Sequence, residues 1–253
     1  RKLISMKDSK EKLVQEFSRY EFKYILNKRL RDQVENQIQH FMKYDGYVHP
    51  EFNNSYFVRS LYYDSPTSFN FYEKIDGVKK RKKFRLRTYD KKIEDSVLFL
   101  EQKGRNVNRV FKHRTPIEEA DLDNFYKAND YENIYHRYND LKIINEFISD
   151  TMKRRISPVV LVDYLRRPYV SDYDMNFRVT FDSHIMAKPS NTLFPSEEGF
   201  YHCLPGYTIL EVKFFRKIPA WFHKLLLVYN LERVSVSKFV LGMKASGIAV
   251  DLS

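Results

Sequence analysis

Residues 79–90 read KKRKKFRLRTYD. The run opens on five cations and then alternates, with Phe84, Leu86 and Thr88 at even positions and Arg85, Arg87 and Tyr89 at odd ones. In an extended strand residues two apart share a face, so the segment sends apolar side chains to one side and cations to the other. The fold turns on which side the rest of the chain covers.

The alternation recurs outward from this stretch in both directions. Residues 19–26, 56–64, 83–89, 97–103, 159–166, 177–182 and 208–215 read as strands, with 106–114 as an eighth. Apolar residues at helical spacing mark Leu30, Val34, Ile38 and Phe41. They also mark a region beginning near Asp121 that holds Leu141, Ile144, Phe147, Ile148 and Met152, and residues 219–231, where Pro219 suits a first turn. On strand after strand one face gathers charge: Arg19, Glu21 and Lys23; Arg85 and Arg87; Glu101 and Lys103; Arg166 beside Tyr164; Arg178 and Asp182; Glu211 and Lys213. Any one strand of this kind fits a sheet with a wet face. Repetition across so many, with Ser, Thr, Asn and Gln avoided, points instead to a closed barrel with its charges around a central cavity and its apolar face under the helices. The expected class is α+β: an eight-stranded antiparallel barrel with a polar, charged interior, braced by helices.

With 253 residues and 43% hydrophobic content the chain supports a packed core. No repeat or Gly/Ser-rich linker divides it, which predicts a polar lead-in over 1–18 and a single domain over 19–253. No apolar run nears the roughly 20 residues that span a bilayer, and the opening RKLISMKDSKEK lacks the apolar centre of a signal peptide, so the expected compartment is the cytoplasm. The lone Cys203 builds neither a disulfide nor a zinc site and reads as a small buried residue. The seven histidines fall at no ligand-like spacing.

Forty-four Lys and Arg against 33 Asp and Glu leave a net charge of +11, which calls for an anionic partner. The charged faces hold eight cations and four carboxylates. Such a surplus is satisfied by a bound triphosphate or polyphosphate, with a divalent cation held by the minority carboxylates. General nucleic-acid binding is disfavoured because the aromatics alternate onto the apolar face and form no exposed stacking platform. Lysines 79, 80, 82 and 83 either draw polyanions toward the cavity mouth or are simply solvated.

Several segments, in order along nearly the whole chain, resemble one family: RYEFKY at 19–24, SLYYDSP at 60–66, YEKIDGVKKRKKFRLRTY at 72–89, LEQK at 100–103, VDYLRRPYV at 162–170, FRVTFDS at 177–183, ILEVKF at 209–214 and SKFVLGM at 237–243. The set is similar to the VTC domain, the polyphosphate polymerase module of the triphosphate tunnel metalloenzyme superfamily, related to CYTH domains. The resemblance implies a tunnel barrel, transfer of the γ-phosphate of ATP to a growing inorganic polyphosphate chain with release of ADP, and dependence on Mn²⁺ or Mg²⁺. It places the phosphate-handling cations at Arg85, Arg87, Lys103, Arg166, Arg178 and Lys23. It also places Ser237 and Lys238 at the substrate and Glu211 at the metal. A further family lysine maps best to Lys112, with Arg109 and Arg114 competing. Tunnel hydrolases open with E-x-E-x-K, whereas here Arg19 precedes Glu21 and Lys23, a departure that favours polymerase over the alternative, a tripolyphosphatase or nucleoside triphosphatase. A non-catalytic polyphosphate-binding module is the reading from another class. Eukaryotic members add an inositol-phosphate-sensing domain and a membrane anchor, so a membrane partner stays open for a longer context.

Overall fold

The computed structural model describes residues 19–251 apart from 47, 49, 95, 108, 128–130 and 139–140, so the lead-in expected over 1–18 lies outside the described residues. In chain order the first elements are β1 (Tyr20–Asn27), α1 (Lys28–Ile38), β2 (Lys43–Tyr44), β3 (Tyr56–Asp64), α2 (Phe69–Ile75), β4 (Lys80–Thr88), β5 (Leu98–Asn106) and β6 (Arg109–Ile117). Then come α3 (Leu122–Tyr126), α4 (Tyr131–Tyr138), α5 (Lys142–Arg154), β7 (Ser157–Val170), β8 (Arg178–Pro189), β9 (Tyr201–His202), β10 (Tyr207–Phe214), α6 (Ala220–Val228) and α7 (Lys238–Ala245). All eight strands expected from alternation form. The short β2 and β9 join them, and β7 and β8 run further toward their C-terminal ends than the alternation indicates.

The residues fall into two compact units interleaved along the chain. One holds Ser60–Leu161 and Ser190–Pro195; the other holds Arg19–Arg59, Val162–Pro189 and the chain from Ser196 onward. In the first unit the strand order is β7-β3-β4-β5-β6, and in the second it is β1-β10-β8-β7-β3, with β2 on β7 and β9 on β8. The paired strands whose registers are defined are antiparallel. Among the described residues the pairing path ends at β1 and at β6, so the closed ring expected from the sequence is not part of it. Alternation within a strand fixes which side chains share a face, but it carries no information about whether two edges meet.

In the first unit the even positions of β4 and β5 bury Phe84, Leu86, Leu98 and Leu100. Phe147 of α5 is their hub: its ring stands edge-on to Tyr63 at 5.2 Å and to Phe84 at 5.4 Å, and Phe125 of α3 lies 5.7 Å away. The region from Asp121 is therefore helical as its spacing predicts, although it breaks into three helices. Asp121 fastens the break, accepting a 2.6 Å hydrogen bond from the Tyr138 hydroxyl.

In the second unit Tyr24 and Leu26 of β1, Val34 and Ile38 of α1, Val179 and Phe181 of β8, Leu210 and Val212 of β10 and Phe222 of α6 form one apolar cluster. The helix α1 starts where Asn27 accepts the Leu30 N–H at 2.9 Å, a side-chain cap that satisfies an end donor. Pro219 stands just before α6, one position outside the turn it was expected to open. Arg59 is fully buried: its guanidinium donates Nε to Asp163 Oδ1 at 3.0 Å and NH2 to Asp163 Oδ2 and Glu197 Oε1, each at 2.8 Å. Buried ion pairs of this kind are costly to break because one charge is then left without a partner.

The opposite faces are covered over much of their length, although Arg178 is exposed. Glu101 and Asp182 are fully buried, and Arg87, Glu211 and Lys238 nearly so. Cys203 is half-buried, and burial pushes its thiol up to about 11, as for an unreactive cysteine. Among the described residues no helix is long and apolar enough to cross a membrane.

Candidate active site

In the first unit one carboxylate organises the cations. The register sets Arg85 opposite Glu101 across β4 and β5, and Glu101 opposite Arg114 across β5 and β6. Arg85 donates Nε and NH2 to Glu101 Oε2 at 2.8 and 2.6 Å, and its NH1 donates to the Tyr62 hydroxyl at 2.8 Å. Arg87, two residues on, donates Nε and NH2 to Ser60 Oγ at 3.1 and 3.0 Å, and its NH1 lies 3.5 Å from Glu101. Ser60 and Tyr62, two apart on β3, thus fix the two arginines that are two apart on β4. The Lys112 ammonium pairs with the other oxygen of Glu101. Lys103 lies directly between Lys83 and Lys112 in the register.

Burial alone would raise the Glu101 carboxyl, yet Arg87, Arg85 and Lys112 hold it well below the ordinary range. Lys112 does not gain in proportion: burial pushes its ammonium down to about 7, Arg87 and Arg85 push the same way, and Glu101 opposes them. Two arginines already neutralise the carboxylate, so the third cation is in surplus. Arg114 turns to Phe99 and stacks at 4.5 Å from the ring centre. Of the three cations competing for one role, Lys112 therefore sits in the cluster and Arg114 on an aromatic ring, while the Arg109 side chain lies outside the described residues.

The second unit has its own cluster. Lys23 on β1 lies opposite Glu211 on β10, and Glu21 opposite Lys213. Lys23 Nζ is 3.3 Å from Glu21 and 3.9 Å from Glu211, and it donates to the Val236 carbonyl at 3.1 Å. Glu211 also meets Lys213 at 2.5 Å and Arg166 at 3.9 Å. Asp182 on β8 receives Arg166 of β7 along both oxygens and, at 2.5 Å, the ammonium of Lys238 from the first turn of α7. Ser237 is the residue before that turn. Arg178, opposite Lys213 in the register, is exposed. Burial opposes the charge on Lys23 and on Arg166, but Glu21 and Glu211 in the first case and Asp182 in the second raise their pKa values above the usual ones. Burial wins at Lys213, pushed down to about 8 despite Glu211. Arg19 lies in the field of Glu21 and Glu211.

Each cluster therefore holds more cations than carboxylates, under low exposure, with the side chains fixed by ion pairs. Sequence reasoning expected Lys23, Arg85, Arg87, Lys103, Lys112, Arg166, Arg178, Glu211, Ser237 and Lys238 at the site; the structure gathers Arg85, Arg87 and Lys112 at Glu101 in the first unit and Lys23, Arg166, Glu211 and Lys238 in the second, while Arg178 is exposed. Sequence reasoning missed Ser60, Tyr62 and Glu101 as holders of the arginines and gave Asp182 no role of its own. The one available signal was polar residues two apart on a strand, which identifies a face but not the neighbour across it.

Among the described residues no three His, Cys, Asp or Glu side chains gather as a ready metal cage. Glu211 nevertheless suits a divalent ion that arrives with its substrate. Such ions are commonly bound by one or two carboxylates together with phosphate oxygens and water, and Glu211 and Glu21 flank the same ammonium, that of Lys23.

The chain is an α+β protein on an antiparallel sheet, with cations that outnumber the carboxylates they surround in each unit. It belongs to the VTC domain family, whose model matches residues 18–246. Comparison with curated proteins gives no match. Similar solved structures include an adenylyl cyclase candidate from Hippeastrum, described as having a dominant triphosphatase activity, at 11% identity and a TM-score of 0.50 over 90% of this chain and 96% of that one. Another is a candidate adenylate cyclase from Bacillus halodurans, at 7% identity and a TM-score of 0.48 over 87% and 94%. At such identities the likeness speaks to fold alone.

Proposed function

We propose that the protein is a polyphosphate polymerase that transfers the γ-phosphate of ATP to the end of an inorganic polyphosphate chain and releases ADP. The observation that carries this reading is the surplus of ordered cations around a minority of carboxylates in each unit, with Arg19 standing beside Glu21 and Glu211 where a hydrolase pattern would supply another carboxylate. In the transfer, an oxygen of the terminal chain phosphate forms the new bond to the γ-phosphorus. The bond from that phosphorus to the β,γ-bridging oxygen breaks, and the electron pair leaves on ADP. The attacking oxygen is already ionised at neutral pH, so no general base is required. The work of the side chains is neutralisation and alignment.

Arg85 and Arg87 present planar donors whose orientation Glu101, Tyr62 and Ser60 fix in advance. Lys23, Lys103, Lys112 and Lys238 add point charges, and Arg166 is held for phosphate by Asp182. Glu211 and Glu21 are the residues that would hold Mn²⁺ or Mg²⁺, which when bound neutralises charge on the phosphate oxygens. The second reading, a triphosphatase, is favoured by one observation: the similar Hippeastrum protein is described with that activity.

Incubation with γ-labelled ATP, Mn²⁺ and a short polyphosphate primer separates the readings. Label in polymer with ADP as co-product supports the polymerase. Free phosphate as the main product, with no label in polymer at any primer concentration, assigns the triphosphatase. Tight polyphosphate binding without turnover leaves a binding module.

A further inference from the structure

The cationic face of the first unit continues past Arg85 and Glu101. The next row of the ladder sets Lys83, Lys103 and Lys112 directly opposite one another across β4, β5 and β6, and the row after that sets Arg81 opposite Arg105. Like charges directly opposite in an antiparallel pair destabilise it. The alternate residues of the same strand show how a structural cation is handled here. Lys82, on the other face of β4, is matched by Glu146 at 3.2 Å and Asp150 at 3.1 Å, both on α5. Arg81 instead donates to the Val78 carbonyl, and Arg105 donates Nε to the Val107 carbonyl at 2.7 Å. Burial lowers the Arg81 pKa, Arg105 lowers it further, and Glu73 offsets this only in part. Strand pairing thus divides the KKRKK run, committing Lys82 to packing against α5 and aligning Arg81 and Lys83 with the two site arginines.

We propose that the rows Lys83–Lys103 and Arg81–Arg105 form a track for the body of an inorganic polyphosphate chain, extending the site at Arg85 and Arg87 and giving it a preference for long chains. The inference rests on the polyphosphate reading of that site and adds chain length to it. From Arg81 to Arg87 the strand advances about 20 Å, at roughly 3.3 Å per residue, far more than a triphosphate covers. A longer chain places a phosphate at each row, and the contacts then add as linked binding events. Single-stranded nucleic acid fits the rows less well, since its bases call for stacking platforms. The aromatics on this face are already covered, the Phe99 ring by Arg114 and the Tyr62 ring by Lys83 and Arg85, while Phe111 lies opposite Gly104 on the other face, packed so closely that a Cβ at 104 would collide with its ring.

The test compares the binding of tripolyphosphate, a long polyphosphate and single-stranded RNA to the full chain and to Arg81→Ala/Arg105→Ala, at two salt concentrations. Lys80→Ala, on the face of Lys82, serves as the control. The expected result is an affinity for long polyphosphate lower by about tenfold or more, with a shallower salt dependence, while tripolyphosphate binding stays within about twofold. Arg81→Lys/Arg105→Lys should restore most of the loss, and thermal melting confirms that the variants fold. Equal loss for both phosphates, no loss for either, or loss confined to RNA overturns the track. A variant with length-selective loss in a protein that never transfers label from ATP to polymer would sink the polymerase reading alone. Label transfer without length-selective loss would sink the track alone.

Discussion

Asp182 grips Arg166 along both edges of its carboxylate, Nε on Oδ1 at 2.6 Å and NH2 on Oδ2 at 2.7 Å, and the same Oδ2 receives the ammonium of Lys238. One fully buried carboxylate thereby ties a strand cation to a helix cation, both proposed to meet phosphate.

Asp182→Asn keeps the size of the side chain and removes that charge. Arg166 and Lys238 then repel each other, and the variant should bind ATP about tenfold more weakly and melt at lower temperature. Burial would raise the Asp182 carboxyl, but Arg166 and Lys238 hold it below the ordinary range. Its contribution to stability is therefore complete above the usual carboxylate range and lost as pH falls through the lower, folded-state value. Denaturant titrations should show parent and variant far apart near pH 7 and converging below about pH 4. A constant gap would mean that the pair carries no net stabilisation.

Arg87→Ala should depress turnover by about tenfold or more in a folded protein, from the loss of one or two charge-assisted contacts, while Lys80→Ala changes little. Ser60→Ala leaves Arg87 in place but removes the oxygen that holds its Nε and NH2. Its expected signature is a KM for ATP raised severalfold, with Ser60→Thr restoring the parent value. Full activity in folded Arg87→Ala protein would take this arginine out of the site.

Glu211→Gln tests the metal assignment. The carboxylate meets Lys213 at 2.5 Å and lies 3.9 Å from both Lys23 and Arg166, so removing its charge leaves the cations in larger surplus. Metal-dependent turnover should collapse while phosphate binding persists or tightens. A Gln variant that titrates with Mn²⁺ as the parent does would show that Glu211 is not the ligand.

Period-two alternation made the strands legible, because side-chain direction in a strand is local: Phe84 and Leu86 are buried on one face of β4, and Arg85 and Arg87 lie together on the other. What alternation could not carry is pairing. Ser60 and Tyr62 matter because β3 lies beside β4, and Asp182 matters because Arg166 and the first turn of α7 converge on it. Both facts belong to tertiary contacts between residues far apart in sequence. The helix α7 went unread because SKFVLGM is too short to show a helical period, and α2 for the same reason. The KKRKK run looked uniform until its register with β5 was known, after which Lys82 and Arg81 took opposite roles.

Lys112 supplies a pH test. Its ammonium is pushed down to about 7 by burial together with Arg87 and Arg85, so at pH 8 it is largely neutral before phosphate arrives. A bound polyanion favours the charged form, and binding at pH 8 should draw in a proton that binding at pH 6 does not, since the lysine is then already charged. Calorimetry in buffers of different ionisation heat counts that proton. Lys112→Arg keeps the positive charge and cannot titrate, so the expected result is about one proton fewer taken up by the variant than by the parent at pH 8, with the difference vanishing at pH 6. Stability without ligand runs the other way. Between about pH 7 and lysine's ordinary value the unfolded chain binds more protons than the folded one, so this residue makes the fold more stable as pH rises while phosphate affinity falls. Equal proton uptake by parent and variant at pH 8 would mean that Lys112 is already charged beside Glu101, and the opposing slopes would disappear with it.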